Sequence, residues 1–477
     1  MNHEITIIPS DTNTATQVEE NLTAIHNPLG AFLSHNNLPT ENIFSPIEER
    51  RKVITVLGSV LELLSIEKRK QASYLSKFTI SVSLGMFDGA LAFLWDETIK
   101  SLRKMIIDFD LHYFYDIAKD LSRNYKGLNS EEDIQAISEH DLLEISRRIG
   151  LLNNVNHRRL ETVNYFRNQT SSAHPNEHEL SGLELIYFLE NCIKYVINAE
   201  YDHSVLGVKR LRENIINKEV EDEDVQAIID ELAKLQIERT HDFVNSLFGL
   251  YSDPRQTQQT RENIEKLAKG LWTLIDEDLK YKIGAKFGFY RVHVENERKA
   301  LVQRFLDIVD GNHYKDEDSL ASELIDKLQN LRASHYANNN FYNEYPHAEN
   351  ISASLRDRNI PLATKKDFVK IISICYIGNG KGYYEGVDER ALPYYENFIN
   401  RFQDEEIKLF IHSFKDYEFV SDLDKSKAIE RAKQLTQQLS EQTENTFLKQ
   451  ALNTIYTSTR IDKVADTTEY KTVIANI

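Results

Sequence analysis

An all-α, multidomain helical fold is what this sequence predicts, and three observations predict it. Turn-forming residues are scarce, with 17 glycines and 9 prolines in 477 residues, against averages of roughly 7% and 5%. Apolar side chains recur at three-and-four spacing in one segment after another, the period of a helix with one buried face. Charged residues make up 28% and hydrophobic ones 41%, with a mean hydropathy of -0.48, the balance of a folded, soluble chain. The low glycine and proline counts argue against turn-rich sandwiches, barrels and collagen-like chains. At roughly 150 residues per domain the length allows about three domains.

Residues 1–45, rich in Asn, Thr, Ser and Pro without a sustained period, read as a mobile or loosely docked arm. From Pro46 the helical signal is strong, and residues 48–78 read as one amphipathic helix. The next helix carries Phe87, Leu91, Leu94, Trp95, Thr98, Leu102 and Ile106 on one face. Loop signals follow at Lys126-Gly127 and Asn129-Ser130, where Ser130 and Asp133 resemble a helix start. Gly150 marks the end of the DLLEISRRIG helix. A further helix, burying Leu160, Val163 and Phe166, must stop near Pro175, because the residue before a proline disfavours helical geometry. The segment from Leu180 to Tyr201 is apolar on almost every side, as a central bundle helix is.

Beyond residue 210, amphipathic stretches continue through Val225–Leu235, Leu267–Ile275 and residues 295–310, stopping at Gly311. Residues 332–350 read as a polar and aromatic loop, and a last helical region from Lys365 is broken once near Gly378. The predicted organisation is thus an arm (1–45), a helical bundle (46–210), a middle region (211–311) and a C-terminal region (312–477).

The formal net charge of -18 excludes a general polyphosphate binder, since nucleic-acid affinity rests on cations displacing counterions. Any contact with nucleic acid must be local, or come from an oligomer that concentrates cations. Cys192 and Cys375 are far apart, with no CxxC, which fits a reducing compartment and excludes cysteine-rich zinc sites. The start lacks a basic segment followed by an apolar one, and so does not read as a secretory leader. The most membrane-like run, Phe78 to Trp95, is interrupted by Ser81, Ser83, Gly85, Asp88 and Gly89, and reads as a buried helix. The expected location is the cytoplasm, with no membrane partner.

There is no nucleophile elbow, Walker A sequence, HExxH or dinucleotide fingerprint. One segment carries chemistry: Arg167-Asn168, then Gln169 to Ala173, then His174-Pro175. Seven residues separate Arg167 from His174, nearly two helical turns at about 3.6 residues each, so on a continuous helix both leave the same face. A guanidinium fork grips a phosphate with two parallel hydrogen bonds. A histidine moves protons near neutral pH. Asn168 orients a neighbour or a ligand. RNA cleavage by its own 2′-hydroxyl needs those services and no metal.

Arg167, Asn168 and His174 at the end of a helix in a helical bundle resemble the HEPN ribonuclease superfamily, whose signature is arginine, a polar residue, four to six variable positions and histidine. The resemblance spans about Leu84 to Asp202. It implies a HEPN-like bundle, a metal-independent endoribonuclease without cofactor, an RNA substrate and a homodimer that pairs two motifs in one cleft. It further implies an abortive-infection or toxin effector of bacterial antiphage defence, with the regions beyond residue 210 restraining or triggering it through a regulatory partner or phage trigger.

Blander readings stand beside it. Arg167 and His174 complement a helix C-terminus, and His-Pro is an ordinary stop. The protein is then a non-catalytic helical adaptor or inhibitor with a degenerate bundle. His174 and His178 do not form a metal pair, because Pro175 breaks the helix that would align them. Arg332 and His335 are too closely spaced for the HEPN pattern and read as loop residues. Gly378 to Gly382 lacks the strand-to-helix context of a phosphate loop and reads as an interhelical connection. The acids Glu219 to Asp224 read as the solvated start of a helix.

Overall fold

In the computed structural model every element among the described residues is helical. The described residues are 15–170, 179–199 and 203–477. The chain gathers into two compact units, one comprising residues up to Leu250 with Gln256–Leu267, the other Tyr251–Arg255 with Ala268–Ile477. The all-α, multidomain class expected from composition and periodicity is the class observed.

The first unit contains α1 (Ala15–His35), α2 (Ile47–Leu61), α3 (Ile66–Gln71), α4 (Ser73–Leu84), α5 (Phe87–Leu121), α6 (Glu139–Arg148), α7 (Asn154–Gln169), α8 (Gly182–Cys192), α9 (His203–Asn217) and α10 (Val225–Ala233). Most of α11 (Ile237–Tyr251) and α12 (Gln258–Thr273) also belongs to it. Helix α5 is its axis, packing against α4, α6, α7 and α8. It buries Leu91, Leu94, Trp95, Leu102 and Ile106, the face read from the sequence, and continues with Phe109, Tyr113 and Phe114.

Two local readings change, and α5 carries a kink. Within the expected arm, Ala15–His35 is helical and packs on α2 and α4. Val18 and Leu22 are buried one turn apart, and Glu19 pairs with Arg51 at 3.0 Å; polar neighbours and Pro28 hide this period in the sequence. The single helix expected over 48–78 is three, α2 to α4, because Ser65 caps a new start by accepting from the Lys68 N–H. Asp110 leaves helical geometry inside α5. Its carboxylate accepts from the Tyr113 N–H at 2.9 Å and from Arg212 at 2.8 Å, so the break is held by a buried ion pair.

The apolar run from Phe78 to Trp95 is divided by Gly85, at φ +80, which ends α4 in the left-handed conformation that glycine adopts freely. Arg50, 1% exposed, lies over it, donating from Nε to Ser45 O at 2.7 Å. Ser45 N–H in turn donates to Gly85 O at 2.8 Å. A Cβ at Gly85 would collide with the Arg50 guanidinium.

The second unit contains α13 (Glu277–Val292), α14 (Asn296–Ile308), α15 (Glu317–His335), α16 (Asn340–Asn343), α17 (Tyr345–Leu355) and α18 (Lys365–Ile377). It continues with α19 (Leu392–Asn400), α20 (Asp404–Ser413), α21 (Tyr417–Val420), α22 (Ser426–Gln442), α23 (Thr446–Thr457) and α24 (Thr468–Ile474). Helix α18 is buried on most sides and packs on α15, α19, α20 and α22. The loop expected at 332–350 is instead the end of α15, all of α16 and the start of α17, where Pro346 occupies the first turn. No helix among the described residues is long and apolar enough to cross a membrane.

Replacing Gly85 by Ala should destabilise the first unit by about 1–2 kcal/mol through the left-handed backbone alone, and by more once Arg50 is displaced. Thermal unfolding followed by circular dichroism reads this as a lowered midpoint; an unchanged midpoint refutes the Gly85–Arg50 packing.

Candidate active site

Helix α7 begins at Asn153, whose side chain accepts from the Asn156 N–H at 2.8 Å, a standard N-cap. It buries His157, Leu160 and Val163. Phe166, expected in the core, is half-buried, its ring 5.3 Å from that of Phe188 in α8. The helix is described to Gln169, and the Thr170 hydroxyl and N–H both donate to Phe166 O at 2.9 Å.

Arg167 stands in this last turn with 28% of its side chain exposed. Its Nη1 donates to Asn168 Oδ1 at 2.9 Å and lies 3.5 Å from Glu139 Oε2. Asn168 is exposed, and its Nδ2 donates to Asn164 Oδ1 at 3.4 Å. The structure thus brings Arg167 and Asn168 together, with Asn168 orienting the guanidinium. His174 lies outside the described residues, as do Pro175 and His178.

Two carboxylates that sequence reasoning did not find bear on the cation, Glu139 by contact and Asp96 through its charge. Glu139 opens α6, one residue after the Ser138 cap. Its Oε2 accepts from the Trp95 indole N–H at 2.9 Å, so it joins α5, α6 and α7. Asp96, next to Trp95, ionises above its ordinary value: burial raises it, Arg167 opposes the rise, and Glu139 adds to it. Glu139 reads in sequence as an ordinary helix-start acid, and nothing local signals a contact 28 positions away. The Trp95-Asp96 pair, an acid directly after a core tryptophan, was the one available sign.

Other candidates resolve as structure. Near the start of α7, His157, Arg147 and Arg158 line an open groove of about 640 Å³. Arg147 is paired with Glu144 and Glu238, and Arg158 with Glu161, so the groove presents matched charges. Burial lowers the His157 pKa despite Glu161 and Glu144 nearby. The run Gly378–Gly382 is a loop after α18 whose Lys381 ammonium pairs with Asp422 at 3.2 Å. The acids Glu221 to Asp224 are exposed, as expected of a solvated helix start.

Fold and site define an all-α protein with an arginine–carboxylate cluster at the C-terminal turn of a bundle helix. Comparisons with models of known protein families, with curated proteins and with solved structures find no match in any of the three.

The Asp96 carboxyl should titrate above its ordinary 3.8. The folded chain then binds this proton more tightly than the unfolded chain. Asp96 therefore favours the fold fully below pH 3.8, and that contribution is lost as pH rises through the raised value. Replacing Arg167 by Ala removes the opposing cation and should move the titration further up; a carboxyl-carbon NMR titration showing no movement, or a fall, refutes the cluster.

Proposed function

We propose that this protein is a metal-independent endoribonuclease effector of the HEPN type, serving bacterial antiphage defence or a toxin system. Its catalytic set is Arg167, Asn168 and His174, working in a homodimer. The observation that carries the reading is Arg167 in the last turn of α7, partly exposed and oriented by Asn168 Oδ1. The motif order in the sequence and the all-α packing of α5 to α8 support it.

In this reading the 2′-hydroxyl of RNA attacks the adjacent phosphorus and the bond to the 5′-oxygen breaks, leaving a 2′,3′-cyclic phosphate and a 5′-hydroxyl. One neutral copy of His174 in the dimer accepts the 2′ proton, and one protonated copy supplies a proton to the leaving oxygen. Arg167 neutralises the charge gathering on the phosphoryl oxygens. Its contact with Glu139 is long, at 3.5 Å, and partly exposed pairs of this kind contribute about 0–1 kcal/mol, so a phosphate displaces it at little cost. The regions beyond residue 210 restrain or trigger the nuclease through a regulatory protein or a phage component.

A second reading, a non-catalytic adaptor, is favoured by that same contact, since Arg167 already has a carboxylate partner within its own chain.

The purified chain should cleave RNA at an unchanged rate in a brief exposure to EDTA. His174→Ala should lower the rate by about 10²–10⁴-fold and Arg167→Ala by about 10²–10³-fold, with growth arrest on induced expression lost in parallel. Cleavage that survives both substitutions sinks this assignment of the site, and stable partner binding by the wild type and both variants, with no cleavage by the wild type, establishes the adaptor.

A further inference from the structure

Four polar side chains of the second unit converge where solvent does not reach. His335 closes α15, Glu344 stands between α16 and α17, Cys375 is near the end of α18, and Tyr395 lies in α19. His335 is 1% exposed, and Glu344, Cys375 and Tyr395 are fully buried. His335 Nδ1 lies 2.8 Å from Glu344 Oε1, and the Tyr395 hydroxyl donates to Glu344 Oε2 at 2.7 Å. One ligand atom each from His335, Glu344 and Cys375 lie within 4.8 Å of one another. Cys375 and Tyr395 belong to the apolar core formed with Leu331, Ile371 and Ile372.

As a purely organic cluster this arrangement is incomplete. His335 Nε2 is buried without a hydrogen-bond partner among the described residues, a cost of roughly 1–3 kcal/mol for a polar group taken out of water. A carboxylate, an imidazole and a thiol gathered in an apolar core are easier to explain by a ligand than by packing, for which isosteric apolar residues serve as well.

We propose that His335, Glu344 and Cys375 bind one divalent transition-metal ion, zinc, as a structural site of the second unit. Imidazole, carboxylate and thiolate are the three donor types zinc accepts, and the sulfur excludes magnesium and calcium. One thiolate and one carboxylate balance the ion's two charges, so the filled core is neutral. Bonds of roughly 2.0–2.3 Å set the donors between about 3 and 4 Å apart, so shifts of about an ångström in the side chains complete the shell. A tetrahedral zinc would leave its fourth position to a non-protein ligand such as water.

Tyr395, and Asn340 at 3.4 Å, hold the Glu344 carboxylate from outside, the role that outer partners play at metal centres. The glycine-rich segment also gains a reason. Asn379 Nδ2 donates to His335 O at 3.4 Å, and Gly386 O accepts from Asn340 at 2.7 Å. Gly378, Gly380, Gly382 and Gly386 all take positive φ, letting the loop fold tightly against the residues that flank the donors. The inference is independent of the ribonuclease reading, because these residues lie in the other unit and are buried.

The full chain, expressed with added zinc and purified without metal-affinity steps, should carry about one zinc per chain by mass spectrometry of the digested protein. Cys375→Ser and His335→Gln, checked for fold by circular dichroism, should each retain less than a tenth of it, whereas Cys192→Ala should retain all. Tyr395→Phe should weaken zinc affinity by about 10–100-fold. The wild type also serves alone, without relying on a ligand variant that stays folded: cobalt(II) should produce the near-ultraviolet charge-transfer band of a cobalt–thiolate bond. Wild-type protein without zinc and without that band overturns the proposal, as does zinc content unchanged in the folded Cys375 and His335 variants.

Discussion

The Glu139 carboxylate is the interaction on which the site depends. Trp95 is fully buried, and a buried indole N–H left unpaired is costly, so it must find an acceptor. It finds Glu139 Oε2 at 2.9 Å, which fixes the first turn of α6 against the first third of α5. The same oxygen faces Arg167 at 3.5 Å, so one carboxylate meets both the buried indole and the cation at the end of α7. The helix dipoles agree with this layout: an anion at the start of α6 and a cation at the end of α7 are each where the macrodipole favours them.

That constraint matters more in a chain with a net charge of -18. Several arginines of the first unit are committed to holding helices together. Arg212 bridges Asp110 and Asp116, Arg148 pairs with the buried Asp242, and Arg50 packs over Gly85. Removing one partner of such a buried pair strands the other charge, which is why these side chains are structural rather than available. Arg167 differs in degree: its carboxylate contact is long and it keeps an open side. A cation of that kind stands out in an acidic protein, because the field of the whole molecule works against anions.

Helix class and several limits were legible in the sequence because they rest on local chemistry. Gly150 at φ +93 after α6 and the apolar face of α5 are both properties of neighbouring residues. What escaped was decided at a distance. Helix α1 forms because Val18 and Leu22 find α2 and α4, the kink at Asp110 is held by an arginine 102 positions away, and α16 is set by Asn340 reaching Gly386. In the site, Arg167 and Asn168 were legible as a motif, whereas Glu139 and Asp96 became visible only when α5, α6 and α7 met.

His335 shows the same limit from the other side. In sequence it belonged to a polar stretch and carried no more signal than any loop histidine. In the fold, α15 continues to it, and α17 starts one residue after Glu344 with Pro346 in its first turn, so two helix ends point a nitrogen and a carboxylate at each other. Burial then separates what these two places can do. A polymer such as RNA cannot reach a side chain that is 1% exposed, so the His335 cluster cannot serve RNA chemistry whatever its donors. Arg167, at 28% exposed and on a helix end, can be met by a phosphate without unfolding anything. Accessibility, more than residue type, therefore separates the two places: a solute can meet the end of α7, whereas the donor set around His335 is closed to anything larger than an ion.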